Sequence, residues 1–514
     1  MISRIFTKKP VIFIFIALLI GISGVTAKPP RAQYRPFNEN ETLDSAFAII
    51  NTKGADIKTK IRLLTKNDEA WYARWFLLHQ AKKTIDMTYF IIENDIFGYS
   101  LLGLLQKKAK EGVKIRLMVD GRIHRLVHRL SKGDEYQELA GLPNVEIKLY
   151  NPISGQLLNA LKDLRYVLAS NHDKIIIVDG KLCLIGGRNI GKDYFVGKRE
   201  YKIVYRDTDI LMQGSHVSKQ LKLAFDEEFE SLKTKKVKKD LINFKPQKTL
   251  LDVARRVMER YLNGRGIWNF ENEEFSKKMR KTLKRFTEEL VGYKNLQSYA
   301  SFSPWNGQRK YPVKILDKNS FTGSRSDIRE NLVRFIDGCK EEIIIQNPYI
   351  VLSDWAYMAL KKASARGVRI IMHTNSATST DNMFPQAFLF EDWKEMLKDM
   401  PTLRLFVAKD QDSRLHAKHF VFDSQVTIVG TYNLDPLSFD INSEVVGVIK
   451  SKSFATMSRL RILSDIQKGN LEYKIKVLRD GSIEVLYGPE SHTDKKILKK
   501  LNFLRKLQWL RPLI

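Results

Sequence analysis

An internal duplication is the feature of this sequence that most constrains its fold. Each copy contains a histidine, a lysine two positions later and an aspartate five positions after the lysine. The first copy is His172, Lys174 and Asp179, and the second, 244 positions along the chain, is His416, Lys418 and Asp423. Each copy continues through a glycine-containing stretch to an asparagine, Asn189 or Asn433. One such match could arise by chance, but two aligned copies predict two homologous halves.

The residues around the motifs repeat as well. Residues 83–89 followed by 112–116 resemble residues 342–349 followed by 367–371. Between these segments, apolar residues fall at helical spacing, whereas 115–119 and 370–372 are short apolar runs typical of buried strands. Strands that alternate with helices predict an α/β fold with parallel sheets.

The spacing of the histidine and the lysine predicts where their side chains point. Side chains alternate between the two faces of a strand, so residues two apart share a face. Each half is therefore expected to present an imidazole and an ammonium together. A lysine ammonium suits a phosphate oxygen, and an asparagine amide adds a neutral donor. The predicted phosphate-binding residues are Lys174, Asn189, Lys418 and Asn433.

Two histidines at one phosphorus suggest a division of labour. A neutral imidazole would attack phosphorus while the other imidazole, protonated, donates to the leaving oxygen. The resulting phosphohistidine would then pass its phosphoryl group to an alcohol or to water. Because the lysine and asparagine donors would stabilise the anionic transition state, the scheme requires no metal and no other cofactor.

An attacking histidine also needs the right tautomer, which a carboxylate on its distal nitrogen can fix. Glu444 is the candidate in the second half, 28 residues after His416. In the first half both Glu200 and Asp207 are candidates. Asp207 is favoured, because it opens an apolar run that reads as the next strand.

Asp179 and Asp423 are candidate catalytic residues because they belong to the repeated motif. Each comes directly before a predicted turn, at Gly180 or at Ser424. A structural role in the turn is therefore at least as well supported by the sequence as contact with substrate.

With these residues in place, the sequence resembles the phospholipase D superfamily, and more narrowly its cardiolipin synthase branch. The resemblance spans roughly residues 70 to 450. Two positions depart from the pattern of many relatives, Leu437 after Asp435-Pro436 and Asp173 between His172 and Lys174. The residues that carry the resemblance are Asn171 to Lys174, Gly186 to Gly191, Tyr194, Phe195, Thr374 to Ser376, Thr380, Asp381, Asp435, Pro436, Ser438, Asn442 and Glu444.

The resemblance implies two homologous phospholipase D-type α/β/α domains in a pseudo-twofold arrangement, with the active site between them. It implies phosphodiester cleavage or phosphatidyl transfer, with His172 as the nucleophile and His416 as the acid, although the sequence alone does not order them. The expected divisions are a signal peptide or anchor at 1–27, a first domain at 28–232, a basic linker and helical insertion at 233–299, a second domain at 300–470, and a hairpin and basic helix at 471–514.

The charge of the chain points to an anionic partner. There are 87 Lys and Arg against 58 Asp and Glu, a formal net charge of +29. Such a charge predicts attraction to nucleic acid or to an anionic membrane surface, and does not choose between them.

The N-terminus favours a membrane-facing role. Arg4, Lys8 and Lys9 precede a mostly apolar stretch at 11–22, and Val25-Thr26-Ala27 offers a small-residue cleavage site, a pattern typical of a secretory signal peptide. The apolar stretch approaches the lower limit for a spanning helix, so an uncleaved anchor is the alternative. Either way, export to the bacterial periplasm or its membrane surface is expected.

Two further segments carry structural predictions. The lysine-rich segment at 233–239 reads as a solvated junction, and the helical pattern after it as a spacer or as a cover for the cleft. At the C-terminus, Asp480-Gly481 predicts a hairpin within 471–487. The basic amphipathic stretch 495–509 fits either a helix lying in a membrane interface or one packed on the second domain.

These observations leave three functional hypotheses. The first is an exported enzyme that transfers a phosphatidyl group to form a cardiolipin-like lipid, or that hydrolyses phospholipid. The second is a sequence-independent nuclease with the same chemistry, which the basic charge would suit. The third is an inactive lipid-binding protein, against which both intact motifs count. The sequence leaves open the donor and acceptor lipids and the oligomeric state.

Overall fold

The computed structural model describes residues 38–50, 57–122, 135–152, 163–238, 250–270 and 274–513. The predicted signal or anchor segment at 1–27 lies outside these ranges. Within them, no helix has both the length and the apolar content that crossing a bilayer requires.

The first half is built on a sheet with the strand order β9-β4-β3-β2-β5-β6-β8-β1. Its strands β2, β3 and β4 are parallel, and the other neighbours are antiparallel. The strands are β1 (Lys58–Leu64), β2 (Thr84–Tyr89), β3 (Lys114–Asp120), β4 (Val145–Tyr150), β5 (Ile175–Val178), β6 (Leu182–Gly186), β7 (Val204–Arg206), β8 (Asp209–Gln213) and β9 (Thr234–Lys236).

The second half repeats this order as β19-β18-β13-β12-β11-β15-β16-β17-β10, again with three parallel strands, β11, β12 and β13. The strands are β10 (Lys310–Lys318), β11 (Glu342–Gln346), β12 (Arg369–Asn375), β13 (Leu403–Ala408), β14 (Ser413–Leu415), β15 (His419–Phe422), β16 (Val426–Gly430), β17 (Glu444–Lys450), β18 (Leu471–Val477) and β19 (Ile483–Tyr487). Each sheet is therefore mixed: the three parallel strands agree with the α/β prediction, and the antiparallel pairings around them were not predicted. Tight turns after β5 and β15 reverse the chain without a crossover helix, and longer connections after β6 and β16 return the chain antiparallel as β8 and β17.

The described helices cover both sheets. They are α1 (Leu43–Ile49), α2 (Asn67–Gln80), α3 (Ile96–Lys110), α4 (Glu135–Ala140), α5 (Arg165–Leu168), α6 (Lys192–Phe195), α7 (Ser215–Phe229), α8 (Leu250–Leu262), α9 (Lys277–Val291), α10 (Asp327–Gly338), α11 (Asp354–Ala365), α12 (Met383–Asp399), α13 (Lys452–Ile466) and α14 (Lys495–Leu504). The equivalent helices α3 and α11 follow β2 and β11, where the repeated apolar spacing predicted them.

The two halves form one body. Strands β1 and β10 pair antiparallel, with Thr59 opposite Tyr311, so the two sheets are continuous. Each half has its own apolar core, and a further cluster combines residues of both halves, among them Ile185, Ile210 and Val445. This shared core fixes the position of one motif relative to the other.

The segment between the halves packs on the side of the first half. The lysine-rich segment begins as β9, which extends the first sheet beside β4, and Lys235 and Lys236 of this strand are exposed, as predicted for a solvated segment. Helix α8 lies so close to α3 that a Cβ on Gly103 would be 2.0 Å from the carbonyl oxygen of Leu251. The buried side chains Val257 and Leu283 lie in the same core as α3, a placement that fits a spacer.

The C-terminal residues pack on the second half. The predicted hairpin is confirmed as β18 and β19, with Gly481 in a left-handed turn conformation at φ 80°. Helix α14 buries Leu501 and Leu504 against Phe390 of α12, which corresponds to the packed alternative. Its neighbours Phe503 and Trp509 stay exposed, at 63% and 48%.

Candidate active site

Both motifs lie where an extended segment enters a central strand. His172 and Lys174 come immediately before β5, and His416 and Lys418 come immediately before β15. All four side chains are buried. The Nζ of Lys174 donates to the carbonyl oxygen of His172 at 2.7 Å, and the Nζ of Lys418 lies 3.0 Å from Nδ1 of His416. Each histidine therefore has an ammonium beside it, as the spacing predicts.

Each motif is held in place by the opposite half. Strand β14, which leads into His416, pairs in parallel with β7 of the first half, and the backbone N–H of His416 donates to Arg206 at 2.8 Å. In the same way Asn171 bridges Ser443, and the N–H of Ser443 donates to Ser170 at 2.9 Å. The chain thus exchanges short segments across the boundary between the halves, once on each side.

This exchange pairs each histidine with a carboxylate from the other half. Nδ1 of His172 lies 2.9 Å from Oε1 of Glu444, and Nδ1 of His416 lies 2.6 Å from Oδ2 of Asp207. The pairing within each half that the sequence suggested is therefore wrong for both histidines. Glu200, the alternative to Asp207, accepts instead from the backbone N–H groups of Gly197 and Asn295.

Each carboxylate contacts Nδ1 of its histidine and leaves Nε2 on the opposite side of the ring, where the Nζ of Lys418 lies 3.2 Å from Nε2 of His416. A histidine whose Nδ1–H donates to a carboxylate has Nε2 free for a substrate. Asp207 and Glu444 occupy equivalent places, because each comes two residues before the partner of the last glycine in β6 or β16. The geometry of the two pairs is thus nearly the same.

Their electrostatic surroundings differ. Burial lowers the pKa of His172 well below its usual value, and the charges of Lys174, Lys418 and His416 lower it further. Burial raises the pKa of its partner Glu444 to about 7, although Lys174 lowers it in part. Burial also lowers the pKa of Lys174 to about 7. This side of the site therefore favours a neutral imidazole.

On the other side the carboxylate stays ionised. Burial alone would raise the pKa of Asp207, but His416, Lys418 and Arg188 lower it below its ordinary value. Burial and Lys418 lower the pKa of His416, while Asp207 raises it in part. An ionised Asp207 stabilises a proton on His416 and so offsets part of the lowering of its pKa.

Arg188 accounts for part of the difference. It is fully buried, donates to the carbonyl of Asp207 at 2.6 Å, and pairs with Asp209 at 2.9 Å, which Arg74 also contacts at 3.0 Å. The equivalent position in the second half, directly before Asn433, is occupied by Tyr432, which carries no cation.

The two asparagines predicted to bind phosphate lie near the histidines. Nδ2 of Asn189 donates to the hydroxyl of Tyr194 at 3.1 Å, and the Tyr194 ring is 5.5 Å from that of His416. The backbone N–H of Asn433 donates to Ser438, whose hydroxyl donates to Glu444. Within the described ranges the Oδ1 atoms of both asparagines are buried without a hydrogen-bond partner. Phosphate binding by these side chains stays a prediction.

Asp179 and Asp423 do not lie at this site. Their predicted assignment as catalytic residues is therefore wrong. They lie at the far ends of β5 and β15, four strand residues beyond the lysines, a distance of roughly 13 Å or more at about 3.3 Å per residue. Asp179 accepts from the backbone N–H groups of Lys82, Lys83 and Thr84, at 2.7 to 2.9 Å. Asp423 accepts from those of Lys340, Glu341 and Glu342, each at 2.8 Å.

These two aspartates instead tie a turn to the start of the neighbouring strand. Both have positive φ, 52° and 46°, as expected in a tight turn. Burial raises the pKa of Asp179, but the three backbone donors lower it overall. These contacts agree with the alternative prediction, based on the adjacent Gly180 and Ser424, that both aspartates have a structural role in a turn.

Several aromatic residues beside the histidines were not predicted to belong to the site. The Phe90 ring lies 5.1 Å from that of His172, and Tyr205 lies 5.4 Å from His416 and stacks on Tyr194. Asp381 accepts from Tyr205 at 3.3 Å, and from Tyr349 at 2.6 Å. Tyr194 and Asp381 contributed to the family resemblance, but Phe90, which follows β2, and Tyr205, which lies in β7, carry no sequence signal of their own.

Comparison with known proteins identifies the family. The sequence model described as "Cardiolipin synthase, PLD-like domain" matches residues 76–231 and 332–462, more than half of the chain. This chain belongs to the phospholipase D-like cardiolipin synthase family. The two matched ranges each contain one His-x-Lys motif and one of the two carboxylates, Asp207 or Glu444, so the site described above lies within the matched ranges.

Individual relatives agree with this assignment. Cardiolipin synthase C of Escherichia coli (strain K12) is 25% identical over 482 residues, which cover 87% of this chain and 95% of that protein. Cardiolipin synthase 1 of Staphylococcus epidermidis is 25% identical over 422 residues, covering 80% of this chain and 69% of that protein. The phosphatidylserine synthase structure from Haemophilus influenzae Rd KW20 has the same fold, with a TM-score of 0.60 at 13% identity over 92% of this chain and 99% of that one.

Proposed function

We propose that this protein is a phosphatidyltransferase that makes a cardiolipin-like phospholipid through a phosphohistidine intermediate. The observation that carries the proposal is the pair of buried histidines, each oriented by a carboxylate of the other half and each accompanied by a lysine. The cardiolipin synthases among the relatives support phospholipid as the substrate.

We assign the nucleophile to His172. Its Nε2 attacks phosphorus, and the bond from phosphorus to the leaving alcohol oxygen breaks while Nε2–H of His416 donates its proton to that oxygen. In the second step the acceptor hydroxyl gives its proton to Nε2 of His416, its oxygen attacks phosphorus, and the bond to His172 breaks. The depressed pKa of His172 and the ionised Asp207 behind His416 support this order.

The lysines then stabilise negative charge. Lys174 and Lys418 are buried beside the histidines, where donors fixed in a water-poor site act most strongly on a developing oxyanion. A phosphate group between them would restore the ammonium form of Lys174, whose pKa is lowered by burial to about 7. The scheme contains no metal-dependent step, and this too is part of the proposal.

The test is a product analysis with the purified full-length protein. The protein is given vesicles of phosphatidylglycerol and phosphatidylethanolamine, with a chelator present, and the lipids are identified by mass spectrometry. Cardiolipin formed by the protein but not by its His172→Ala variant is the expected result. A control variant, Asp179→Asn, changes the turn and should keep the activity.

Other products would redirect the proposal. Phosphatidic acid in place of cardiolipin would make the protein a hydrolytic phospholipase D. Activity that disappears with the chelator would contradict the metal-free scheme. The absence of any lipid product, together with cleavage of nucleic acid, would favour the nuclease alternative over lipid transfer.

We further propose that the protein is exported and works at an anionic membrane surface. The basic N-terminal residues and apolar stretch at 11–22 support export, and the net charge of +29 supports attraction to anionic lipid. The mass of the mature protein from the membrane fraction separates cleavage after Ala27 from an intact anchor, and a full-length protein confined to the cytosol would contradict export.

A further inference from the structure

A second cavity lies outside the phospholipase D-like site. It has a volume of 620 Å³ and is formed by the last turns of α8 and the loop that follows. It falls between the two ranges that match the family model, so the shared catalytic site does not include it. We call it the arginine cavity after its principal lining residues, Arg255, Arg256, Arg260 and Arg265, which are joined by Glu259 and Trp268.

The positive charge of the arginine cavity is only partly neutralised. Arg255 pairs with Glu259 and, at 2.9 Å, with Asp252, and Arg256 lies 3.3 Å from the same Asp252. The two carboxylates thus neutralise the charges of two arginines, Arg255 and Arg256. Arg260 and Arg265 are exposed and, among the described residues, neither has a carboxylate partner within ion-pair distance. Counted over the described lining residues, the cavity therefore holds an excess of two guanidinium groups.

The cavity is built by local backbone geometry and not by chance surface contacts. Gly264 and Gly266 adopt φ of 69° and 68°, a conformation that side chains strongly disfavour, and they curl the chain back on α8. This curl lets the backbone N–H of Arg265 donate to the carbonyl of Arg260 at 3.1 Å. The two uncompensated arginines are thereby held on neighbouring parts of the chain.

The paired arginines are also fixed. Arg256 stacks on the Trp268 ring at 4.5 Å, which orients its guanidinium plane. Arg255 is 8% exposed, and within the described ranges its buried Nε has no hydrogen-bond acceptor. A buried donor without an acceptor is uncommon, and an anion in the cavity could supply one.

We propose that the arginine cavity binds a phosphate group of an alcohol-bearing headgroup, such as a phosphodiester of glycerol. Guanidinium groups bind phosphate oxygens in a bidentate manner, and four of them around a polar cavity suit an anion with several oxygens. The volume of 620 Å³ lies within the range of about 300 to 1,000 Å³ that is usual for ligand cavities. The ligand is either a lipid headgroup in a bilayer or a soluble phosphate compound with the same chemistry.

The first arm of the test uses soluble probes and the purified full-length protein. Binding of glycerophosphoglycerol and of inorganic phosphate is measured by calorimetry at constant ionic strength, for the wild type and for Arg260→Gln/Arg265→Gln. We expect saturable binding to the wild type and at least about a tenfold weaker binding to the double variant. The control Arg285→Gln/Arg309→Gln removes the same charge from exposed positions outside the cavity and should change binding less than threefold.

The second arm uses vesicles and identifies the source of the phosphate. The ratio of binding to phosphatidylglycerol vesicles over phosphatidylcholine vesicles is compared for the same variants, because an N-terminal anchor would bind both vesicles alike. If the preference for phosphatidylglycerol vesicles disappears in the Arg260→Gln/Arg265→Gln variant but not in the control variant, the ligand is a lipid headgroup. An unchanged ratio, together with arginine-dependent binding of glycerophosphoglycerol, supports a soluble phosphate compound.

A third variant and a catalytic control keep the two proposals separate. Arg260→Lys/Arg265→Lys retains the charge but loses the bidentate geometry, so it should bind with intermediate strength. The His172→Ala variant forms no lipid product, and it should keep the part of the probe binding that depends on Arg260 and Arg265. Equal weakening in the cavity and control variants, no saturable phosphate binding, or arginine-dependent binding of an oligonucleotide alone would each overturn the proposal.

Discussion

The two histidine–carboxylate pairs have the same geometry but different electrostatics. In both pairs a carboxylate from the opposite half binds Nδ1 of the histidine, at 2.9 Å for His172 and at 2.6 Å for His416. Asp207 remains ionised, whereas burial raises the pKa of Glu444 to about 7. A duplicated fold has therefore kept the positions of its functional groups while changing the charges behind them.

Under the proposed mechanism, this difference would let a symmetric scaffold carry out an asymmetric reaction. A nucleophile must be neutral and an acid must be protonated, so identical pairs would serve both roles poorly. Arg188 lies behind Asp207, and Tyr432 occupies the matching position in the second half. This substitution between the repeats contributes to the pKa difference between the two carboxylates, together with the larger effects of His416 and Lys418 on Asp207.

Replacing each histidine by alanine should have the largest effect on catalysis and should distinguish the two pairs most clearly. Both His172→Ala and His416→Ala should lower kcat by about 10³-fold or more, because each step needs both groups. Only the His416→Ala variant should accumulate phosphohistidine, since it keeps the nucleophile but lacks the base for the second step. Rapid acid-free quenching followed by peptide mass spectrometry at residue 172 checks this. A phosphoryl group found on His416 in the His172→Ala variant would reverse the assignment.

The carboxylates provide the next largest difference. Asp207→Asn should lower kcat by roughly 10²-fold at every pH, because His416 then loses the charge that stabilises its proton. Glu444→Gln should lower kcat by roughly tenfold, because a neutral amide oxygen can still accept the Nδ1–H of His172. Steady-state kinetics of the two variants, measured side by side, give the ratio of their kcat values directly.

The pH profile sharpens this test. Below its pKa of about 7, Glu444 is protonated and can donate to Nδ1 of His172, which places the remaining ring proton on the attacking Nε2. The wild-type kcat/KM should therefore fall as the pH drops below about 7, and Glu444→Gln should remove this decline. Equal losses for both carboxylate variants, with unchanged pH profiles, would show that the two pairs are electrostatically alike.

The turn aspartates should have a smaller, structural effect, equal in the two halves. Asp179→Ala removes the acceptor of three backbone N–H groups and leaves a residue at positive φ, so it should lower the free energy of unfolding by about 2 kcal/mol. Asp423→Ala should behave alike, and kcat per folded molecule should stay within about twofold. Denaturant unfolding and activity are measured on the same samples. A large loss of kcat at unchanged stability would return these residues to the catalytic site.

Local patterns predicted much of this molecule. The apolar spacing that predicts α3 and β3 depends on neighbours in the chain, and so does the Asp480-Gly481 turn of the hairpin. The His-x-Lys spacing likewise predicted that the imidazole and ammonium lie together. Such features involve residues only a few positions apart, so the local backbone conformation is enough to set their geometry.

The crossed pairing could not be predicted in this way. It depends on β7 meeting β14, which is about 210 residues away, and nothing in these three-residue strands identifies the partner. The two interpretations of α14, a helix in a membrane interface or one packed on the second half, stayed open for a similar reason. An amphipathic helix has the same sequence pattern whether its apolar face meets lipid or Phe390, so only the presence of α12 decides between them.

The smallest effect in the comparison concerns the middle residue of each motif, which is Asp173 in the first half and Ala417 in the second. Burial, together with the nearby Glu228 and Glu444, raises the pKa of Asp173 to about 8. The folded protein then binds a proton more tightly than the unfolded chain between pH 4 and 8, so Asp173 makes the protein less stable as the pH rises through this range.

Asp173→Asn should therefore stabilise the protein at pH 8 by about 1.4 kcal/mol or more, the equivalent of one pKa unit, and should change little at pH 4. The amide oxygen can still accept from Asn171 at the position where Asp173 accepts at 3.1 Å, and from Ser443 at 2.9 Å. Chemical denaturation across this pH range checks the slope. If the variant is destabilised equally at both pH values, the carboxylate contributes through its hydrogen bonds alone, and the charge difference between the motifs has no bearing on stability.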